Sequence, residues 1–262
     1  MDQHLISELG DELYAALRAR KTLSPLTTHH PEISIDDAYH ISLHMLQRRI
    51  AAGEQLVGKK IGVTSKAVQD MLDVHQPDFG FLTDAMHYPN GACISLSKSG
   101  LIQPRAEGEI AFILKEDLHG NVTREDILDA TEWVLPCFEI VDSRITDWKI
   151  RIQDTVADNA SCGVFVLGDK RTAPRELDLA SVRLDVLRNG LAAGSGLGSA
   201  VQGHPAEAVA WLANTLGRFG IPFRAGEIIL SGALAPLVPA SAGDRFELTI
   251  EGLGAASVSF ID

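Results

Sequence analysis

The sequence predicts an α+β fold in which two helices precede a mixed, mostly antiparallel β-sheet body. Residues 2–20 and 34–53 carry apolar side chains at helical spacing. After residue 54 the apolar segments become short and are separated by turn residues, which is typical of β-rich structure. We therefore expect a helical part at 1–54, packed on a β-rich body at 55–262, within one continuous globular unit.

The predicted helices rest on apolar spacing and on capping residues. Ser34 is a typical N-cap, acidic residues follow it in the first turn, and Gly53 ends the helix. Between the first two helices, residues 22–31 are rich in helix breakers and predict a loop. Three further helices are predicted inside the body, at 66–72, from Thr123, and at 204–220.

The predicted strands are short apolar runs, and Asn189-Gly190 predicts a hairpin turn. They lie at 56–63, just after the Q-P-D-F-G turn, at 110–114, around Glu139, and at 162–167, 181–188, 227–231, 245–250 and 256–261. Residues 143–161 predict a loop with a helical turn. The glycine-rich stretch 194–198 follows a hairpin and lacks the strand–turn–helix context of a dinucleotide site. It therefore predicts a flexible loop and argues against a doubly wound nucleotide fold.

Charge and cysteine content exclude several classes of protein. The 262 residues carry a net charge of −12, from 23 basic and 35 acidic side chains, with no run of Lys or Arg. This balance argues against nucleic acid or an anionic membrane as a partner. No stretch approaches the length of a membrane span. Three cysteines without C-x-x-C spacing, and no signal-like apolar segment, indicate a reducing cytoplasm.

Three carboxylates are placed where a metal ion would be useful. Glu107 and Glu109 come just before the apolar run 110–114, and residues two apart on a strand share a face. Glu139 lies inside a second apolar run, where an unpaired carboxylate is costly to bury. Three such oxygens could hold one hard divalent ion, Mg²⁺ or Mn²⁺, and leave positions open for a chelating substrate.

The spacing alone leaves a second interpretation open, because E-x-E is a weak pattern. The glutamates could form a solvated strand end, with Arg105 and Arg144 as their ion-pair partners.

Six motifs together carry a resemblance to a known family. They are K-K-I-G-V-T-S, Q-P-D-F-G, I-Q-P-R-A-E-G-E-I-A-F, P-C-F-E-I-V-D-S-R, V-A-D-N-A-S-C-G and A-G-E-I-I-L-S-G-A-L, in this order. This set resembles the 2-hydroxypenta-2,4-dienoate (2-oxopent-4-enoate) hydratases, in the hydratase/decarboxylase branch of the fumarylacetoacetate hydrolase superfamily. The resemblance covers nearly the whole chain. It implies a mixed β-roll body and a Mg²⁺ or Mn²⁺ site with Glu107, Glu109 and Glu139 as ligands.

The resemblance also implies a reaction, the addition of water to 2-hydroxypenta-2,4-dienoate to give 4-hydroxy-2-oxopentanoate in aromatic meta-cleavage catabolism. Such a substrate presents a carboxylate oxygen and an adjacent oxygen to one ion in a five-membered chelate, and the ion stabilises charge on the C2 oxygen. Hydration further needs a proton donor or acceptor near the substrate tail.

Lys60 and Asp78 are the predicted catalytic residues. Lys60 lies on a glycine-flanked strand and could neutralise a substrate oxygen; the period of a strand sends either Lys59 or Lys60 to solvent, and the motif match selects Lys60 as the inward one. Asp78 lies in Q-P-D-F-G, where an Asp most often caps a turn. The resemblance favours a general acid/base, because the related decarboxylases generally lack an acid here.

Three polar residues are predicted to bind substrate: Asn159, Ser161 and Ser231. Asn159 and Ser161 could equally cap the following strand. His75 is a candidate proton shuttle, with a surface histidine as the alternative.

Other functions remain open from the sequence. A 4-oxalocrotonate decarboxylase or a C–C hydrolase would use the same scaffold, and a hydrolase would need His29 or His30 to reach the site and pair with a glutamate. A non-catalytic partner subunit is the remaining alternative, and the intact glutamate set argues against it. The resemblance implies a homo-oligomer that associates with 4-oxalocrotonate decarboxylase. The native metal, the substrate's tail substituents and the number of subunits are not set by the sequence.

Overall fold

The computed structural model describes residues 1–65, 69, 74 and 76–262. The helix predicted at 66–72 lies outside the described residues, apart from Gln69, and so does His75.

The helices follow the predicted start and stop signals. The described residues form α1 (Gln3–Ala19), α2 (Leu26–His29), α3 (Ile35–Ala51), α4 (Arg124–Ala130), α5 (Ile152–Ala157) and α6 (Pro205–Arg218). Ser34 caps α3 in a full capping box, because its Oγ accepts from the Asp37 backbone N–H and Asp37 accepts from the Ser34 backbone N–H. Pro205 occupies the first helical position of α6, where its missing N–H costs nothing.

Two segments predicted as loops contain more structure than their composition indicates. The stretch 22–31 holds the short helix α2, because Thr27 donates from its backbone N–H and its Oγ1 to the buried carboxylate of Asp154. The stretch 143–161 contains α5 between two 3-10 turns, Thr146–Trp148 and Asn159–Ser161.

Two sheets form the body, and their pairing is mixed and mostly antiparallel, as predicted. The strands are β1 (Leu56–Gly62), β2 (Asp78–Thr83), β3 (His87–Tyr88), β4 (Ala92–Ser95), β5 (Arg105–Leu114), β6 (Thr131–Val141), β7 (Cys162–Leu167), β8 (Arg183–Arg188), β9 (Leu191–Leu197), β10 (Ile228–Leu230), β11 (Val238–Pro239), β12 (Arg245–Ile250) and β13 (Gly254–Ile261). The larger sheet has the order β2-β1-β10-β5-β6-β7-β3, with β11 also paired to β5. The smaller sheet has the order β4-β13-β12-β8-β9.

The glycine-rich stretch 194–198 is not the flexible loop that the sequence predicts. Most of it belongs to β9, which pairs with β8 through the predicted hairpin. Its glycines meet packing demands, because a Cβ at Gly196 would lie 1.7 Å from the Leu234 carbonyl oxygen and one at Gly198 would lie 1.8 Å from that of Leu179. Close backbone approach, rather than phosphate binding, explains this composition.

The larger sheet has two chemically different faces at β5 and β6. On one face the Phe138 ring lies 6.3 Å from Phe246 of β12, and a Cβ at Gly108 would lie 2.6 Å from Leu184 of β8. This face therefore packs on the smaller sheet. The opposite face carries the odd-numbered residues of both strands, and the three glutamates are among them.

The N-terminal helices pack on the body. Tyr39 of α3 stacks on Phe79 of β2, with ring centroids 3.9 Å apart. Buried residues of α1 and α3 belong to the same apolar cluster as the strands. The domain boundary near residue 54 stays a prediction. No helix in the described part of the chain is both long enough and apolar enough to cross a membrane.

Lys59 differs from its prediction. It points to the opposite face from Lys60, as the strand period requires, but it is only 1% exposed. Its ammonium donates to the Glu227 carboxylate and to the Pro222 carbonyl oxygen. The expectation that Lys59 reaches solvent is wrong, because Glu227, the Pro222 carbonyl and the Phe223 ring, 5.2 Å from Nζ, enclose its ammonium.

We expect Lys59→Met to lower the free energy of unfolding by about 3–5 kcal/mol, since it leaves the Glu227 carboxylate buried without its cation. Urea unfolding followed by circular dichroism measures this loss. Arg183→Met, which breaks an exposed pair with Asp185, is the matched control and should leave the free energy of unfolding nearly unchanged. Equal, small losses in both variants would contradict the assignment.

Candidate active site

Three glutamates converge on one face of the larger sheet. Glu107 and Glu139 are direct partners in the β5–β6 register, and Glu109 follows two residues along β5. One carboxylate oxygen from each lies within 4.8 Å of the others. Glu107 and Glu109 lie inside β5 rather than just before the apolar strand, so the rigid ladder itself sets their spacing.

These carboxylates are buried with few partners. Glu109 and Glu139 are fully buried, and Glu107 is 8% exposed. Glu109 Oε2 accepts from the Gly232 N–H at 2.8 Å, whereas Oε1 of Glu109 and both oxygens of Glu139 have no hydrogen-bond partner in the described part of the chain. Burial, with repulsion from Glu139, raises the pKa of Glu107 to about 8 and that of Glu109 well above its ordinary value. The negative charge of the three carboxylates is therefore poorly compensated by the residues that the structure describes.

The alternative ion-pair interpretation is wrong for this cluster. Arg144 is 1% exposed and pairs with Asp158, with 2.5 Å between Nε and Oδ1. Arg105 lies over the Trp148 ring, 4.3 Å from its centroid. Among the described residues, neither arginine forms an ion pair with a metal-site glutamate.

Lys60 is the cation that does reach the glutamates. Its Nζ lies 3.2 Å from Oε1 of Glu139 and donates to the Ala160 carbonyl oxygen at 3.2 Å, and the residue is 2% exposed. Burial alone would lower the pKa of Lys60, but the carboxylates of Glu139, Asp78 and Glu107 outweigh it and raise the pKa above its ordinary value. The side chain is therefore a permanent ammonium inside the site.

Asp78 lies beside Lys60. It opens β2 opposite Gly62 of β1, and a Cβ at Gly62 would lie 2.3 Å from Asp78 Oδ1 and 3.1 Å from Lys60 Nζ. Oδ1 is buried without a hydrogen-bond partner in the described chain. Burial raises the pKa of Asp78 to about 6, although the Lys60 ammonium opposes the shift. A carboxyl with this pKa exchanges protons readily near neutral pH.

The three residues predicted to bind substrate differ in whether their side chains already have hydrogen-bond partners. The Asn159 amide is engaged at both ends, since Oδ1 accepts from the Phe81 N–H at 2.8 Å and Nδ2 donates to the Phe81 carbonyl at 3.0 Å. The Ser161 hydroxyl lies 3.0 Å from Thr155 Oγ1. Ser231 has a buried hydroxyl without a partner in the described residues, and it directly precedes Gly232, which binds Glu109. Its hydroxyl is thus the freest of the three.

Several features of the site were not found from the sequence. Asn159, Ala160, Ser161 and Val63 all have positive φ angles. The value of 56° at Val63 is unusual for a β-branched residue. The Ala160 carbonyl accepts a hydrogen bond from Lys60, and no pattern of side chains in the sequence can reveal such a backbone acceptor. The glycine after K-K-I was the one available signal, since a strand glycine often marks close approach by another group.

A second apolar cluster lies beside the charged groups on this face. Its buried members are Leu82, Met86, Ala111, Cys137, Cys162, Phe165 and Leu230. Phe165 is the register partner of Glu139, and the His87 ring stacks on it at 4.9 Å. The carboxylates are therefore held in an apolar wall, where charge interactions are stronger than in water.

The residues present fit a hard divalent ion. All three donors are carboxylates, and three of their buried oxygens have no hydrogen-bond partner in the described chain. Oxygen-only donor sets suit Mg²⁺ and Mn²⁺. Glu107, Glu109 and Glu139 are the residues that would hold the ion.

Glu139→Gln should weaken divalent-ion binding and activity together while the fold survives, because an amide keeps the shape and removes the charge. Calorimetric titration with Mn²⁺ and Mg²⁺, alongside the melting temperature, measures both effects. Full activity in this variant without added metal would exclude Glu139 as a ligand.

The stabilisation of the folded protein by a bound metal ion should also depend on pH. The folded, metal-free protein holds a proton on Glu107 up to pH about 8, whereas the unfolded chain releases it near 4.5, so the free energy of unfolding falls as pH rises between these values. A cation binds the ionised form, and the melting-temperature gain from Mg²⁺ should therefore increase from pH about 6 to about 8. Differential scanning calorimetry at both pH values measures it, with Glu107→Gln as the variant in which this dependence should flatten. A gain independent of pH in the unmodified protein would contradict the shift.

Comparison with known proteins places the chain in a family. Residues 52–260 match the fumarylacetoacetate (FAA) hydrolase C-terminal family. A 2-hydroxyhexa-2,4-dienoate hydratase of Comamonas testosteroni is 70% identical over 262 residues, which cover 100% of this chain and 99% of that protein. A 2-hydroxypent-2,4-dienoate hydratase of Pseudomonas putida is 64% identical over 222 residues, covering 84% of this chain and 100% of that protein.

A solved structure has the same backbone. The 4-oxalocrotonate decarboxylase from Pseudomonas putida G7, complexed with magnesium and adipate, has a TM-score of 0.96 and 33% identity, covering 100% of this chain and 99% of that one. The family match, the two hydratase relatives and this shared backbone agree with the resemblance of the six motifs, and the chain belongs to the fumarylacetoacetate hydrolase family.

Proposed function

We propose that this protein is a divalent-metal-dependent hydro-lyase that adds water to 2-hydroxypenta-2,4-dienoate and gives 4-hydroxy-2-oxopentanoate in aromatic meta-cleavage catabolism. The observation that carries the proposal is the placement of Lys60 and Asp78 beside three buried glutamates on one sheet face. The hydratase relatives support the substrate class.

The metal is Mg²⁺ or Mn²⁺ in this proposal, held by Glu107, Glu109 and Glu139. The magnesium in the related decarboxylase supports a divalent ion. When bound, the ion supplies Lewis acidity to the carboxylate and the adjacent C2 oxygen of the substrate.

Lys60 holds a negatively charged substrate oxygen. Its ammonium lies on the same face as the glutamates and is buried, so its attraction for an anion is weakly screened. As charge moves onto the C2 oxygen, this fixed cation stabilises it without reorganising.

Asp78 transfers protons at the substrate tail. With a pKa of about 6, it can donate a proton to the far end of the diene and afterwards accept one from the water that adds at C4. Ser161 and Ser231 complete the proposed substrate contacts, with Ser231 as a direct hydrogen-bond donor. Asn159, also predicted to bind substrate, would act indirectly, because its amide is bonded to Phe81 of β2.

The second candidate is a 4-oxalocrotonate decarboxylase, which the structure of that enzyme favours. Decarboxylation needs an electron sink and no acid for hydration, so a buried proton-transfer residue at Asp78 supports the hydratase instead. A C–C hydrolase has less support, because His29 is exposed and His30 lies 3.5 Å from Glu32. A non-catalytic subunit would have no use for a cluster of buried carboxylates.

Assembly and location complete the proposal. We propose a homo-oligomer that associates with 4-oxalocrotonate decarboxylase, since the unstable dienol would then be passed on before it isomerises in water. The cytoplasmic location indicated by the cysteine pattern and the boundary between 1–54 and 55–262 stay predictions.

The test is product identity. Purified protein with Mg²⁺ should remove the absorbance of 2-hydroxypenta-2,4-dienoate, and nuclear magnetic resonance should identify 4-hydroxy-2-oxopentanoate. The chelator-treated protein is the control. Release of CO₂ from 4-oxalocrotonate without hydration of the dienoate would favour the decarboxylase, and a cleaved product would favour the hydrolase.

Asp78→Asn should lower turnover by a factor on the order of 10² or more and leave metal binding nearly intact, because it keeps the shape and removes the titrating group. The rate of dienoate loss and the melting temperature are measured together. Unchanged turnover with a lower melting temperature would assign Asp78 a purely structural role and return the decarboxylase to consideration.

A further inference from the structure

A buried arginine holds both ends of the backbone segment that contacts Lys60. Arg144 donates from Nε to Asp158 Oδ1 at 2.5 Å and from Nη2 to the Asp158 carbonyl at 2.6 Å. Its Nη1 donates to the Cys162 carbonyl at 3.0 Å and to the Asp142 carbonyl at 2.5 Å. One guanidinium thus joins the residue before the 159–161 segment to the residue after it.

The segment between these two anchors has an unusual conformation. Asn159, Ala160 and Ser161 have φ values of 55°, 50° and 52°, all in the left-handed region. Residues with a side chain rarely adopt this region, and three in succession persist only where surrounding contacts hold them. Gly80 leaves the required space, since a Cβ there would lie 2.5 Å from the Asn159 carbonyl oxygen.

This segment presents two groups to the active site. The Asn159 amide pairs with both backbone groups of Phe81 on β2, the strand that begins at Asp78. The Ala160 carbonyl accepts a hydrogen bond from Lys60 Nζ. A lysine ammonium ends a chain of freely rotating bonds, so a fixed acceptor is needed to place it. The left-handed conformation at Ala160 therefore aims the carbonyl that places the lysine.

We propose that the Arg144–Asp158 pair is a positioning device for Lys60, which acts through the left-handed segment 159–161 and its Ala160 carbonyl. This proposal rests on the role of Lys60 in the proposed function. In the described part of the chain, the pair forms no hydrogen bond or ion pair with Glu107, Glu109 or Glu139. It fixes the distance between the Lys60 ammonium and the substrate oxygen that the ammonium stabilises.

Asp158→Asn tests the device, because it keeps the side-chain shape and weakens the ion pair. We expect kcat to fall about 10-fold or more, since misplacement by about 1 Å is enough for a loss of this size. The affinity for Mg²⁺, measured by calorimetry at a temperature where the variant is folded, should stay within about twofold of wild type.

Glu54→Gln is the matched control. It weakens a partly buried pair, Arg49–Glu54, which contacts Thr83 at the other end of β2. This variant should lower the melting temperature and keep kcat within about twofold. Arg144→Lys, which keeps the charge and loses the planar fork, replaces Asp158→Asn where the latter does not fold, and the same loss of kcat is expected.

An unchanged kcat in the folded Asp158→Asn variant would overturn the proposal. A loss of Mg²⁺ affinity as large as the loss of kcat, or the same fall in kcat from Glu54→Gln, would also overturn it. Wild-type protein without hydratase turnover would instead refute the proposed function, and the two failures are therefore distinct.

Discussion

The repulsion among buried carboxylates is the constraint on which the rest of the site depends. Within the described ranges, Glu107, Glu109, Glu139 and Asp78 face one ammonium, that of Lys60, and all five groups are buried. Burial and mutual repulsion hold the pKa of Glu107 at about 8, so the cluster retains protons that exposed glutamates would lose. A site with this imbalance has a standing affinity for a cation, and a cation adds affinity for an anionic substrate. In the proposed function, metal and substrate binding are therefore linked through charge.

Only a rigid framework can keep such groups together. β5 is hydrogen-bonded to β10, β11 and β6, and β6 is bonded to β7 on its other side. Because the three glutamates lie in the middle of these ladders, their side chains cannot move apart without breaking strand pairing. The opposite face of β5 and β6 is packed on the smaller sheet, which fixes the backbone from behind. The fold thereby stores the unfavourable electrostatic energy of the clustered carboxylates.

The sequence predicted what depends on local pattern and missed what depends on distant contacts. The helices follow their spacing and caps, and the shared face of Glu107 and Glu109 follows from strand period, so both were predictable. Lys59 was wrongly predicted to reach solvent. The two-residue repeat of a strand separates its two faces, but it does not show whether the face that carries Lys59 is covered. Gly196 and Gly198 are required because the carbonyl groups of Leu234 and Leu179 leave no room for a side chain. Local composition does not identify such distant neighbours.

The choice between hydration and decarboxylation also lies beyond the backbone. A TM-score of 0.96 with a decarboxylase means that the framework, and with it the register of β5 and β6, is compatible with either reaction. Both reactions need a metal-assisted electron sink at the C2 oxygen, so the glutamates do not separate them. They differ at the other end of the substrate, where hydration needs a proton delivered and a water activated. Asp78 is the buried group whose pKa, near 6, suits both tasks, and Lys60 keeps that pKa from rising further. In the proposed function, the reaction type therefore depends on Asp78 and Lys60, whose side chains both lie beside Gly62.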